Sequence, residues 1–414
     1  MMKIYIERII PWVFRILLIS FFLPPKVQTL VFILISASII ITSIILKIKC
    51  TRFEIFTAFI LGSIYLFYLF YIPLTPPDSK HLVYSFLERE ISLFLFPFVF
   101  LCLSKISNSS YQPYLIWFVY GNLVSSVIAN LSILTNVILG SMKNLNHITY
   151  RLAFENITHI HPTYFGMYLC LGIAILWLYN FEQYGISKWI SLFFQAILVI
   201  SLMMLMPKSA LLSLLLIFIY CMIYIFKISI KLKIILSISL LGFAILLPLF
   251  IPFIAQRLNE VVSFIYHPNS NLINNSVDMR NLIFQTDLVL LKEHWLFGLG
   301  PVELQKHLDA LLFLSSFFAG HALGTFNTHN EYLNQWLSFG LGGFIFFISI
   351  LFIHFRKAIL NQNLIYLFLL IILSITFLTE NVLSRQQGVL FYSLFTSLFF
   401  FQNNISLKKK NSIV

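Results

Sequence analysis

Residues 27–46 read VQTLVFILISASIIITSIIL, twenty positions without a charged side chain, closed off by Lys26 on one side and Lys47 on the other. At a rise of about 1.5 Å per residue this run reaches roughly 30 Å, the thickness of the hydrocarbon core of a bilayer. A helix that shows no polar face over such a length is built for lipid or for the middle of a bundle. Working outward, comparable runs recur near 9–23, 55–72, 83–103, 113–138, 161–179, 189–206, 209–226, 233–254, 329–353, 361–379 and 386–402. The composition agrees: 59% hydrophobic, 10% charged and a mean hydropathy of +0.91, far from the balance of a soluble domain. The pattern predicts an all-α, polytopic membrane protein with about twelve transmembrane helices.

Two of these runs depart from the pattern. The first is short and carries Arg15, and the fourth begins in the amphipathic stretch 83–91. The N-terminal run lacks a small-residue cleavage site, and Pro24 and Pro25 lead straight into the next span. It reads as an uncleaved helix rather than a signal peptide. One hydrophilic stretch, 255–328, interrupts the series. The expected organisation is therefore a bundle of about nine helices over 1–254, a long loop containing short helices over 255–328, and about three helices with a short tail over 329–414.

The chain has 27 Lys and Arg against 15 Asp and Glu, a formal charge of +12. Its distribution is topological. Twelve spans put both termini on one side, and the short loops there hold 15 basic residues against three acids; those on the other side hold seven basic residues. The positive-inside rule places both termini in the cytoplasm and the long loop on the outer face, in the periplasm if the cell has two membranes. The basic excess thus marks orientation and does not point to nucleic acid. Cys50, Cys102, Cys170 and Cys221 show no metal-ligand spacing, and none falls in the long loop, so neither a disulfide framework nor a zinc site is expected.

Polar side chains inside spans are few, chiefly Arg15, Asn122, Asn130 and Gln195. An ion-coupled transporter more often carries acids near the midplane. The informative residues sit instead at outer helix ends: Arg89, Arg151, His161, Lys208 in the turn Met206-Pro207-Lys208-Ser209, Arg280 and His329. Thr328 with Glu331 three residues on matches a capping box, which makes Thr328 the expected N-cap and puts His329 in the first turn of a span. A neutral imidazole there could accept a proton, and the helix end attracts an anion; an interfacial histidine that only anchors the helix fits the spacing as well. His329-Asn330-Glu331 is not a zincin, because Leu333 stands where the second histidine belongs. His159 and His161 alternate, which is slight support for a metal. Upstream, 276–291 reads as an amphipathic helix that ends at Trp295-Leu296-Phe297-Gly298-Leu299-Gly300-Pro301, where two glycines and a proline force a turn. Arg280 on that helix suits a two-pronged grip on phosphate, as well as a solvated or ring-stacked position.

The order of these pieces resembles the O-antigen ligase and polymerase family of bacterial envelope glycan enzymes. The likeness is concentrated between about 200 and 345. It rests on Lys208-Ser209 before an apolar helix, Arg280 leading to Trp295–Gly300, and His329-Asn330-Glu331-Tyr332-Leu333 followed by Gly340-Leu341-Gly342-Gly343. The family usually has Arg where Lys208 stands, and lysine keeps the charge but loses the fork. The resemblance implies a glycosyltransferase that uses a polyprenyl (undecaprenyl) diphosphate-linked glycan donor, with neither nucleotide nor metal at the site and no cofactor. Within it, His329 is the expected base and Arg280 the diphosphate ligand, with Lys208 assisting; Arg151, Arg89 and His161 are lesser candidates for lining the cavity. A ligase would pass the glycan to a hydroxyl of lipid A-core or another envelope acceptor. A polymerase would pass it to a second lipid-linked repeat, and a lipid-glycan flippase or transporter is the reading from another class.

Overall fold

The computed structural model describes residues 2–107, 110–142, 146–225, 229, 231, 276–318 and 327–401. These residues are helical, and no strand occurs among them. The chain divides into two compact units.

The first unit comprises Met1–Ser213, Ile345–Thr376 and Val382–Val414. Its helices begin with α1 (Met2–Ser20), α2 (Pro25–Ile45), α3 (Arg52–Gly62), α4 (Ile64–Phe70), α5 (Lys80–Ile106), α6 (Leu115–Ile138), α7 (His147–Thr158), α8 (Pro162–Leu178), α9 (Lys188–Leu205) and α10 (Lys208–Tyr220). Further along come α11 (Ser276–His294), α12 (Pro301–Phe318), α13 (Glu331–Leu360), α14 (Leu364–Phe377) and α15 (Gln386–Phe401). The second half of α13 and nearly all of α14 belong to the first unit, together with α15. α10 from Leu214 on, α11, α12 and the start of α13 belong to the second unit, Leu214–Phe344 with Phe377–Asn381.

Two helices of the first unit, α8 and α15, are apolar around their whole circumference and buried accordingly. Such helices find no solvent or lipid face and must lie inside a bundle. Phe391 and Phe395 of α15 stack and cross with Phe118 of α6, Tyr168 of α8 and Phe21 of the α1–α2 turn at ring separations of 4.8–6.3 Å. Rings at such distances gain edge and offset-stacking attraction beyond the area they bury.

Among the described residues, five helices are long and apolar enough to cross a membrane, or up to seven if each bent pair is one span. This is fewer than the twelve expected runs, for reasons visible in the helices. α1 and α5 carry several charges each. α14 and α15 have 14 and 16 residues, short of a full bilayer crossing. The expected 55–72 span is α3 and α4, bent by 62°, and the 161–179 span is α8, meeting α7 at 75°. At the second bend His159 takes a left-handed backbone conformation (φ 58°) and Pro162 opens the next helix. The expected 233–254 span lies outside the described residues.

The polar groups inside these helices serve packing. Asn122 donates to carbonyls of Phe118 and Tyr168, and Asn130 joins Tyr150 to Ser201. Gln195 accepts from the Trp177 indole at 3.1 Å. The Arg15 guanidinium lies over the rings of Trp12 and Trp117, at 4.7 and 5.3 Å. Amide side chains that pair across helices are the usual way to keep such groups satisfied away from water.

In the second unit, α11 and α12 fold back on one another around Leu290, Leu304 and Leu308, and Leu337 of α13 closes the cluster. The Trp295–Gly300 turn is threaded against a break in α13. Gly340 there has φ 69° and ψ −170°, so its helical ladder is interrupted. The turn supplies the missing partners: Leu299 N donates to Leu337 O at 2.7 Å, Gly300 N to Ser338 O at 2.8 Å, and Leu341 N donates to Leu296 O at 3.2 Å. The Trp336 indole donates to Trp295 O at 2.8 Å. A Cβ at Gly340 would stand 2.2 Å from Leu296 O, and one at Gly298 would stand 2.5 Å from Gly340 N. Two backbones can approach this closely only where both lack side chains.

Candidate functional site

The site is assembled in the second unit from three separate stretches of chain. α11 runs from Ser276 to His294 and holds Arg280 on its second turn, in an exposed position. The loop before α13 brings His329. The short loop after α14 brings Glu380 and Asn381.

Glu380 is the meeting point. Its Oε1 accepts from Arg280 Nη2 at 2.9 Å, and its Oε2 lies 3.4 Å from His329 Nδ1. The carboxylate side chain is 8% exposed, against 42% for Arg280 and 24% for His329. A buried carboxylate next to a guanidinium is the arrangement that keeps a charge tolerable away from water. Nδ1 is the ring nitrogen that faces the Glu380 carboxylate, at 3.4 Å, which leaves Nε2 as the nitrogen turned away from it. In chemical terms, this is an imidazole backed by a carboxylate, beside a guanidinium with further N–H groups to offer.

Local hydrogen bonds fix the geometry. Thr328 Oγ1 lies 2.9 Å from Asn381 Oδ1, tying the His329 loop to the Glu380 loop. His329 N donates to Asn327 Oδ1 at 3.1 Å, and His329 adopts a left-handed backbone with φ 45°. For a residue other than glycine that conformation costs on the order of 1 kcal/mol, and it is held here by the contacts on both sides.

The helix start differs from the expected capping box. α13 begins at Glu331, and Asn330 is the cap: its Oδ1 accepts from Leu333 N at 3.1 Å. Glu331 is buried and accepts from Gln335 Nε2 at 2.8 Å instead of reaching back to Thr328. Thr328 is drawn away by Asn381, which leaves the cap to Asn330. His329 thus sits two residues before the helix rather than in its first turn.

The other expected residues lie in the first unit. Lys208 opens α10 and is exposed. Arg151 of α7 reaches Leu205 O at 3.5 Å. His161 caps α8, its Nδ1 accepting from Thr163 N at 3.4 Å. The Arg89 guanidinium lies over the Phe86 ring at 4.5 Å.

Sequence reasoning missed Glu380. A lone acid in the short loop that follows an apolar helix is the signal that could have found it, but nothing in the sequence pairs that acid with a residue 51 positions earlier.

Comparison with known proteins bears on the same region. No curated protein matches the chain. The family model described as O-antigen ligase matches residues 193–348, a stretch that includes Lys208, Arg280, the Gly298–Gly340 crossing and His329, and that stops before Glu380. The match supports a relation to the O-antigen ligase family over that stretch, which is less than half of the chain.

Proposed function

We propose that the chain is an O-antigen ligase-type glycosyltransferase, which moves a glycan from a polyprenyl diphosphate to a hydroxyl of lipid A-core or another envelope acceptor at the outer face of the inner membrane. The observation that carries the reading is the shared carboxylate: Glu380 holds both Arg280 and His329.

The chemistry needs a base for the acceptor hydroxyl and a cation for the leaving diphosphate. Nε2 of His329 takes the hydroxyl proton as the hydroxyl oxygen bonds to the anomeric carbon of the donor sugar. The bond from that carbon to the diphosphate oxygen breaks, and the electron pair leaves with the diphosphate. The imidazolium so formed is stabilised by Glu380, the part a buried carboxylate plays behind a catalytic histidine. Arg280 takes up the leaving-group charge. It keeps N–H donors beyond the one given to Glu380, and a guanidinium matches phosphate oxygens in pairs. The distribution of Lys and Arg over the short loops supports an outward-facing site.

The test is complementation of a deletion strain with His329→Ala, followed by gel analysis of surface glycan and lipid-linked intermediates. Loss of long glycan from the acceptor, with lipid-linked polymer accumulating at normal protein level, is expected. Acceptor capped by single repeat units would identify a polymerase instead. Normal transfer by the variant would remove His329 from the mechanism.

A further inference from the structure

The first unit contains a second feature that the transfer chemistry does not use. The start of α3 and the ends of α5, α13 and α15 enclose a cavity of about 940 Å³. This is at the upper end of the range for small-molecule sites, roughly 300–1,000 Å³. Its lining combines the rings of Phe56, Phe352 and Phe400 with the charged side chains of Glu54, Lys105, Arg356 and Lys357.

The charges do not cancel. Lys105 is committed to Glu54, with Nζ 2.5 Å from Oε1. Lys357 lies over the Phe400 ring at 5.2 Å, and Arg356 is exposed. Among the described residues no carboxylate stands within ion-pair distance of either. Among the described residues, two cations without an ion pair therefore line a cavity that is also lined by aromatic rings.

The rings identify the occupant as a lipid and not a free anion. Phe56 and Phe352 are 60% and 66% exposed, beside the cations. A phosphate ion would leave such surface uncovered, whereas an acyl chain covers it. The same end of the sequence map gathers Lys47, Lys49 and Arg52, the basic short loops that face the cytoplasm, where anionic lipids are concentrated.

We propose that this cavity binds an anionic phospholipid of the cytoplasmic leaflet, with its phosphate between Arg356 and Lys357 and an acyl chain along Phe56, Phe352 and Phe400. The lipid would join α3, α5, α13 and α15 as part of the first unit.

The experiment uses the full chain in a neutral detergent and follows its thermal midpoint during titration with phosphatidylglycerol, phosphatidylcholine or inorganic phosphate. Phosphatidylglycerol should raise the midpoint, since a ligand of the folded state stabilises it, and the other two should not. Arg356→Gln with Lys357→Gln should weaken the phosphatidylglycerol response by about thirtyfold in apparent affinity, from about 1 kcal/mol per cation near a membrane surface. An equal rise with phosphatidylcholine, a full rise with inorganic phosphate alone, or an unchanged response in the double variant would each overturn the proposal. The lipid comparison on the unaltered protein decides the matter even if the double variant does not fold.

Discussion

Glu380 stands behind His329, its Oε2 3.4 Å from the ring Nδ1, while its other oxygen holds Arg280. The carboxylate thus couples the proposed base to the proposed diphosphate ligand. Glu380→Gln keeps the size and a hydrogen-bonding oxygen but removes the charge that steadies an imidazolium. Glycan transfer should fall by about a hundredfold or more, within the range for general-base contributions. The thermal midpoint should move little, because the Arg280 pair is partly exposed and such pairs contribute about 1 kcal/mol or less. Transfer at more than a tenth of the normal rate would mean that His329 works without its carboxylate.

Arg280 gives one N–H to Glu380 and must still meet the diphosphate. A guanidinium does both with a fixed fork, and an ammonium cannot reproduce that geometry. Arg280→Lys should lose about two orders of magnitude in transfer, comparable to removing a donor aimed at developing charge. Near-normal transfer in a lipid-linked donor assay would show that charge alone suffices.

The crossing of Gly298 and Gly340 makes an independent structural prediction. Gly340 has φ 69° and ψ −170°, a region other residues essentially do not occupy, and its Cβ would meet Leu296 O at 2.2 Å. Gly340→Ala should destabilise by about 3 kcal/mol or more, combining backbone strain with a backbone clash. Gly342→Ala is the control, since nothing lies within 4 Å of the added carbon. It should be neutral or slightly stabilising, as expected for a helical glycine. Melting curves for the two variants compare the sites directly.

Asp287 of α11 is fully buried, and neither carboxyl oxygen has a hydrogen-bond partner among the described residues. Burial pushes its carboxyl group up to about 8. Between its ordinary value of 3.8 and about 8, the folded chain keeps a proton that the unfolded chain releases. Stability should therefore be highest below about pH 4 with respect to this group and should decline as the pH rises towards 8, by on the order of a few kcal/mol. Asp287→Asn carries no titrating proton there. Its melting temperature should depend less on pH between 5 and 8 than that of the unaltered protein and should exceed it at pH 8. Parallel pH profiles for the two proteins would rule out the burial effect.

The legibility of the sequence varied with the range of the interaction. A long uncharged run such as 27–46 selects a helix wherever it ends up, because backbone groups removed from water must bond within the segment. The α11 helix and the turn at Trp295–Gly300 could likewise be read locally, from periodicity and from glycine and proline. The bends at Ser63 and at His159 to His161 were less evident, because each depends on what the next helix packs against.

What the sequence by itself determined was the helical class, the basic bias of one set of loops, and the order Lys208, Arg280, His329 that resembles the O-antigen ligase family. What only the tertiary structure decided was which groups touch. It moved the cap from Thr328 to Asn330, because Asn381 draws the threonine hydroxyl away. It paired Gly298 with Gly340 through a broken helical ladder. It placed Glu380 between Arg280 and His329, three residues separated by long stretches of chain. Periodicity and capping act within a few residues and are written in local sequence. A shared carboxylate is a three-way contact across distant segments, and it exists only once packing has brought them together.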